Sequence, residues 1–183
     1  MRKLTAGLFM SVDGAVESPN LWQFDSFDDE LGQLLSATMA SVDTAVLGRV
    51  GFQEWSSFWP SAGADDPFGA FINALPKYVA SNTLSGDLGW NATVIDGDVA
   101  AFLTDLKQTE GGEISLFAGI SLVRHLLFAG VLDELTVMIH PVVAGAGYRH
   151  LFEPGDPTTR LELVHSTVTN KGNAVLTYAK RAD

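Results

Sequence analysis

Apolar residues along this chain fall into short blocks with two kinds of spacing. Lys3 to Met10, Thr44 to Leu47, Lys77 to Ser81, Thr93 to Ile95 and Ile114 to Phe117 are mostly apolar runs of a few residues, the mark of strands buried on both faces. Between them apolar positions recur every three or four residues. Leu31, Leu34, Leu35, Met39 and Val42 form one such face, Val99, Phe102, Leu103 and Leu106 a second, and Ile120, Val123, Leu126 and Leu127 a third that stops at Gly130. Each predicts an amphipathic helix. Ser26 followed by Asp29 has the form of a capping box, and Asp28 to Glu30 load acid into the first turn of the first helix. A short helix is expected from Arg49 through Trp55, and one or two further turns from Phe68 to Leu75, with a loop from Ser56 to Pro67 between them.

After Gly130 the pattern changes. Asp133 to Val143 reads as one long strand through His140-Pro141, ended by Gly145 and Gly147. Leu161 to Thr169 and Ala174 to Lys180 flank Asn170-Lys171-Gly172-Asn173, a hairpin by its turn chemistry. Strands and helices therefore alternate, and three strands follow in succession. The expectation is a single α/β domain over residues 1–183, three layers deep, whose mostly parallel central sheet carries an antiparallel C-terminal hairpin.

Two junctions share one form. Leu116-Phe117 runs through Ala118-Gly119 into the helix that begins Ile120-Ser121-Leu122, and Val46-Leu47 runs through Gly48 into a helix that begins with Arg49. A strand that turns through small residues into a helix aims unpaired N–H groups and the positive end of the helix dipole at one spot, which suits an anion. The bland alternative is a plain connection. Open α/β sheets bind ligands beyond the carboxyl ends of their parallel strands, so Met10–Gly14, Gly48–Arg49, Ser81–Thr83 and Ala118–Leu122 are expected to gather at one edge. There Arg49 can pair with a phosphate, and Ser81, Asn82 and Thr83 offer polar groups to a ribose or its phosphate. Asp13, after an apolar strand and before Gly14, is either a proton donor facing the same cleft or a turn residue bonding its own backbone. Trp22 and Phe24 either cover a flat ring or pack inward.

Composition narrows the partners. A formal charge of −11 repels nucleic acid, so an anionic ligand must be held by a local arrangement. With no cysteine, thiol catalysis and Cys-based metal sites are excluded, and His125, His140, His150 and His165 lack metal-ligand spacing, so no metal is assigned. The absence of a signal-like start or a long apolar run leads us to expect a soluble, cytoplasmic chain.

Met10-Ser11-Val12-Asp13-Gly14, Leu47-Gly48-Arg49 with Glu54, Lys77 to Leu84, the Leu116–Arg124 stretch and Asp133 to Phe152 together resemble the dihydrofolate-reductase-like family. Within it, the chain is similar to the branch of the C-terminal reductase domain of bifunctional riboflavin-biosynthesis proteins. The resemblance runs from residue 2 to about 180 and implies an eight-stranded, mostly parallel sheet, NADPH as cofactor, and reduction of a small heterocyclic substrate. It places Gly48 and Arg49 near the cofactor phosphates and Ser81, Asn82 and Thr83 near the adenosine ribose and its 2′-phosphate. Ala118, Gly119, Ile120, Ser121 and Leu122 would cradle the pyrophosphate, and Asp13 stands where the family places an acid facing the substrate pocket; Ser11, Trp22 and Phe24 are the further candidates for substrate contact. Relatives often have consecutive glycines where this chain has Ala118-Gly119-Ile120, and side chains there resist the backbone angles glycine allows.

Three readings follow from this. The first is an NADPH-dependent reductase of a small heterocycle. The second reduces a ribosylamino-pyrimidine phosphate on the riboflavin path, with Arg149, Arg160 and Lys171 as candidate phosphate grips. The third is a non-catalytic nucleotide-binding dimer. A homodimer is expected in any case, because long antiparallel segments at the carboxyl end leave a sheet edge that needs cover.

Overall fold

The computed structural model describes residues 1–62 and 66–181. Eight strands form one sheet: β1 (Leu4–Ser11), β2 (Val42–Gly48), β3 (Lys77–Ala80), β4 (Ala92–Ile95), β5 (Glu113–Phe117), β6 (Glu134–His140), β7 (Leu161–Val168) and β8 (Ala174–Lys180). Five α-helices connect them: α1 (Asp29–Met39), α2 (Arg49–Phe58), α3 (Pro67–Ala74), α4 (Val99–Leu106) and α5 (Ile120–Phe128). The order across the sheet is β4-β3-β2-β5-β1-β6-β8-β7. Neighbours from β4 to β6 are parallel, and β8 lies antiparallel between β6 and β7.

Both faces are covered, which is why the parallel strands carry unbroken apolar runs. Leu103 of α4 and Val123, Leu126 and Leu127 of α5 pack on Leu4, Ala6, Val46, Leu116 and Leu135. The opposite face is divided. Phe52 of α2 and Ile72 of α3 pack on Ala45, Leu47 and Val79, while Leu31, Leu34 and Leu35 of α1 pack on Phe9, Met138 and Val175. No single core joins these two groups on that face.

The sheet itself opens at the same place. β1 pairs with β6 over seven positions, Thr5 to Ser11, but with β5 over only three, Leu4 to Ala6. Beyond Ala6 the carboxyl half of this central strand has no paired strand on the β5 side among the described residues. Gly7 is exposed and Leu8, Phe9 and Met10 are only half-buried, although they sit in the middle of the sheet. A central strand left open in this way is the floor of a cleft.

Three expectations need correction. The cap of α1 is Asp28, whose carboxylate accepts from the Leu31 N–H at 2.8 Å, and not Ser26, whose hydroxyl is committed to the Gln23 carbonyl and His140. The strand expected over 133–143 stops at His140, since Pro141 cannot extend the ladder. Of the loop expected over 56–67, residues 63–65 lie outside the described residues, α2 continues to Phe58, and Pro67 opens α3.

Candidate functional site

The two glycine junctions meet. Gly48 ends β2 and Gly119 follows β5 on adjacent strands, and a Cβ on Gly48 would lie 3.5 Å from Gly119 Cα. One turn into α2, Gly51 is pressed against the other junction, where a Cβ would lie 1.9 Å from the Ala118 carbonyl oxygen and 2.4 Å from its Cβ. Only glycine fits there. Ala118 holds its half of the contact with φ 47°, the left-handed conformation that a side chain resists at roughly 1–2 kcal/mol. The chain thus keeps the backbone path of a glycine with an alanine in its place. Ile120 is already the first residue of α5 and needs no such angle.

Capping distinguishes these two helices from the rest. Asp28, Asp66 and Asp98 cap α1, α3 and α4 with their side chains, whereas Gly48 and Gly119 precede α2 and α5 with no capping side chain. The first turns of α2 and α5 therefore present N–H groups side by side, each helix adding a positive dipole end of about half a charge. Arg49, the first residue of α2, is exposed and donates to Gln53 Oε1 at 3.0 Å, and Arg149 reaches the same mouth by donating to Ser121 Oγ at 2.7 Å. Ser81 follows β3 next door, but its hydroxyl accepts from the Leu84 N–H at 3.0 Å and so serves its own turn; Asn82 and Thr83 are exposed beside it.

Across the open half of β1, the residues expected to face substrate divide. Ser11 is fully buried; its hydroxyl donates to Asp13 Oδ1 at 2.6 Å and accepts from the Ala15 N–H at 2.9 Å. Asp13 accepts two further bonds, from the N–H groups of Ala144 and Gly145, both at 2.9 Å. These bonds, Ser11's first, hold its carboxyl down to about 2. These bonds favour its ionised form, and they tie the end of β1 to the loop after β6. Trp22 packs inward at 2 % exposure, its Nε1–H donating to the Glu17 carbonyl at 2.8 Å and its ring 5.9 Å from His140. Phe24 is 80 % exposed and stands away from the core.

His140 is the buried pin of this loop. Gln23 Nε2 lies 3.0 Å from its Nε2 and Ser26 Oγ 2.7 Å from its Nδ1, while Ser26 itself donates to the Gln23 carbonyl at 2.6 Å. The chain of bonds closes for a neutral imidazole with the proton on Nδ1, and burial pushes its pKa down in the same sense. Phe27 is a residue the sequence reading missed. Its ring meets Phe9 edge-on at 6.0 Å, keeps 44 % exposure, and lines a groove of about 500 Å³ with Asp28, Asp29, Gly32, Gln33 and Ser36. All six of these residues come from the segment 27–36, and Gln33 also lines a second groove beside Thr167–Thr169.

The sequence pattern of the RibD C-terminal domain fits residues 2–175. The chain belongs to that family. Its relative YyaP of Bacillus subtilis (strain 168) is 26 % identical over 182 residues, covering 97 % of this chain and 94 % of YyaP. A protein of Shewanella sp. PV-4 named for riboflavin biosynthesis superposes with a TM-score of 0.74 at 20 % identity, over 98 % of this chain and 99 % of its own. The dihydrofolate reductase of Enterococcus faecalis, solved with NADP(H), gives 0.59 at 16 % identity over 98 % of this chain and 97 % of its own. The fold is thus the dihydrofolate-reductase fold carried by a RibD C-terminal domain. No helix among the described residues is long and apolar enough to cross a membrane, and no group of side chains there could hold a metal ion.

Proposed function

We propose that this RibD C-terminal domain is an NADPH-dependent reductase of a small heterocycle. The observation that carries the reading is the pair of uncapped helix N-termini held together by Gly48, Gly51 and Gly119 beside an opened central strand. Two phosphates need many N–H donors and close backbone approach, and the glycines supply both. The cradle fits a pyrophosphate, with Ala118 to Leu122 on one side, Gly48 and Arg49 on the other, and Asn82 and Thr83 available to the ribose end.

Bound there, NADPH supplies a hydride. The chain's own residues do the rest. β1 offers its open half, Gly7 to Met10, as the floor on which nicotinamide and substrate meet. Asp13, the acid expected to handle the proton, also holds the loop at 144–145 through its bonds to both N–H groups. Ionised and partly exposed, it also favours a positively charged ring nitrogen nearby. The test is thermal: saturating NADPH should raise the melting temperature, by the equivalent of about 2.7 kcal/mol at a hundredfold excess over Kd. Arg49→Ala should cut NADPH affinity tenfold or more, as one charge-assisted bond is worth about 1.5–3 kcal/mol, with the apo melting temperature unmoved. No shift with NADPH would sink the reading.

A further inference from the structure

The sheet face that α1, α2 and α3 cover carries polar residues between its two apolar groups. Leu4, Ala6, Leu8 and Met10 of β1 turn to α4 and α5, so Thr5, Gly7, Phe9 and Ser11 turn to this face. By the same alternation Ser115 and Phe117 of β5, Thr136 and Met138 of β6 and Thr177 of β8 face the same way. The register puts Ser115 beside Thr5, and Thr136 beside both Gly7 and Thr177. A band of hydroxyls therefore crosses the middle of a covered sheet, where apolar side chains are the rule. Thr136 and Thr177 bond each other, Oγ1 to Oγ1 at 2.9 Å. Thr5 is only 9 % exposed, and its buried Oγ1 has no hydrogen-bond partner. A hydroxyl left so costs stability until something meets it.

Beside Thr5 the face has a gap. Gly7 is exposed in mid-sheet, and a Cβ there would meet within 4 Å, apart from its chain neighbours, only the terminal methyl of Met138 among the described residues, at 3.5 Å. Thr5 and Phe9 flank the gap along β1 and Thr136 bounds it on β6, while Phe117 follows the last β5 residue that pairs with β1. Phe117 also precedes the Ala118 junction, and its ring lies 6.1 Å from those of Trp55 in α2 and Phe71 in α3. The gap is thus continuous with the cradle. Glu134 adjoins Thr5 on β6 but is held by Lys3 at 2.5 Å. The cations expected to grip a substrate phosphate are committed elsewhere: Arg149 to Ser121, Lys171 to Asp25, and Arg160 at the amino end of the sheet, where β7 begins three strands from β1. We propose that the substrate is a planar heterocycle seated over Gly7, and that Thr5 determines specificity by meeting an uncharged amide edge of that ring, its C=O and N–H. A hydroxyl can serve either group, donating to the carbonyl or accepting from the N–H. This rests on the reductase reading and deepens it, for it names the edge by which the ring is chosen.

The full chain is titrated calorimetrically with 5-aminouracil and with pterin, each beside a derivative methylated on the ring nitrogen of that edge, and separately with NADPH by thermal shift. At least one parent ring should bind about tenfold tighter than its methylated partner. Thr5→Val keeps the shape and removes the hydroxyl. The apo variant should melt at or above wild type, while the parent ring binds about three- to tenfold more weakly and the methylated ring as before. Gly7→Val fills the gap. Valine suits a strand and its Cβ would meet Met138 at an ordinary 3.5 Å, so the fold holds and the parent ring should lose about tenfold or more. Binding of neither parent ring, equal binding of the methylated partners, unchanged binding in either variant, or a lower apo melting temperature in Thr5→Val overturns the proposal. The expected pattern of ring binding without any shift from NADPH overturns the reductase reading instead and leaves this inference in place.

Discussion

Gly51→Ala is the substitution on which two ordinary arguments disagree in sign. Within a helix, alanine is better than glycine by about 0.5–1 kcal/mol, so propensity alone predicts a gain. The packing says otherwise. The added Cβ would stand 1.9 Å from the Ala118 carbonyl oxygen, about 1.5 Å short of an ordinary contact, and 2.8 Å from its carbonyl carbon. The obstacle is backbone, so no rotamer change relieves it; α2 must move away from the β5–α5 junction. Overpacking of this kind costs about 1–3 kcal/mol, and the absence of a flexible partner puts it at the upper end. For a chain of this length, about 2–3 kcal/mol is a melting temperature lower by roughly 5–10 °C. NADPH affinity should fall as well, since the two helix N-termini are driven apart. Calorimetry and a fluorescence titration with NADPH measure both. Gly32→Ala in α1 is the control, its Cβ meeting Phe27 at an ordinary 3.7 Å, and it should melt at or slightly above wild type. If Gly51→Ala also melts at or above wild type, the close meeting of the junctions is refuted.

Sedimentation at micromolar concentration should give twice the 19.6 kDa chain mass, because the edge strand β7 leaves Leu163, Val164 and Val168 exposed, Val168 by 69 %; a monomer mass removes the dimer. Acid should weaken the fold in two steps. His140, depressed below 6.5 by burial, stays neutral in the fold while the unfolded chain takes up its proton, so stability is complete above about pH 6.5 and declines below it. Asp13, lowered from 3.8 to about 2, adds stability present above the first value and lost as pH falls through the second. Asp28 and Asp43 are lowered as well and act in the same range, so in Asp13→Asn the second step should shrink in urea midpoints measured against pH, and an unchanged profile would show that the Asp13 carboxylate bonds contribute nothing.

The order of strands and helices was legible because buried strands and amphipathic helices leave different periods in the sequence. So were Gly48 and Gly119, each standing between an apolar run and a helix. Gly51 was not. A glycine inside a helix reads only as a poor helix former, and its reason lies in a backbone 67 positions away. Ser26 and Asp28 are both good caps two residues apart, and the choice fell to Asp28 because His140, from β6, claimed the serine. Trp22 carried two readings, and the Glu17 carbonyl as acceptor decided for the inward one. Arg160 seemed available only because a sequence does not tell at which end of a sheet a residue falls.

The strand order also sets a timetable. The block β4-β3-β2-β5 is one uninterrupted stretch of chain, residues 42–117, whereas β1-β6-β8-β7 is assembled from both ends, with Thr5 meeting Glu134. Closing a longer loop costs more entropy before any contact repays it, and non-local pairing is slow. The first block, with the Gly48 side of the cradle, is expected to form early, and β1 to dock against β6 afterwards. Pulse-labelled hydrogen exchange during refolding should protect amides of β2 and β5 before those of β1 and β6, and the reverse order would contradict this. Phe9 rides on β1, so the surface meant for the substrate ring is the last part of the molecule to come into being.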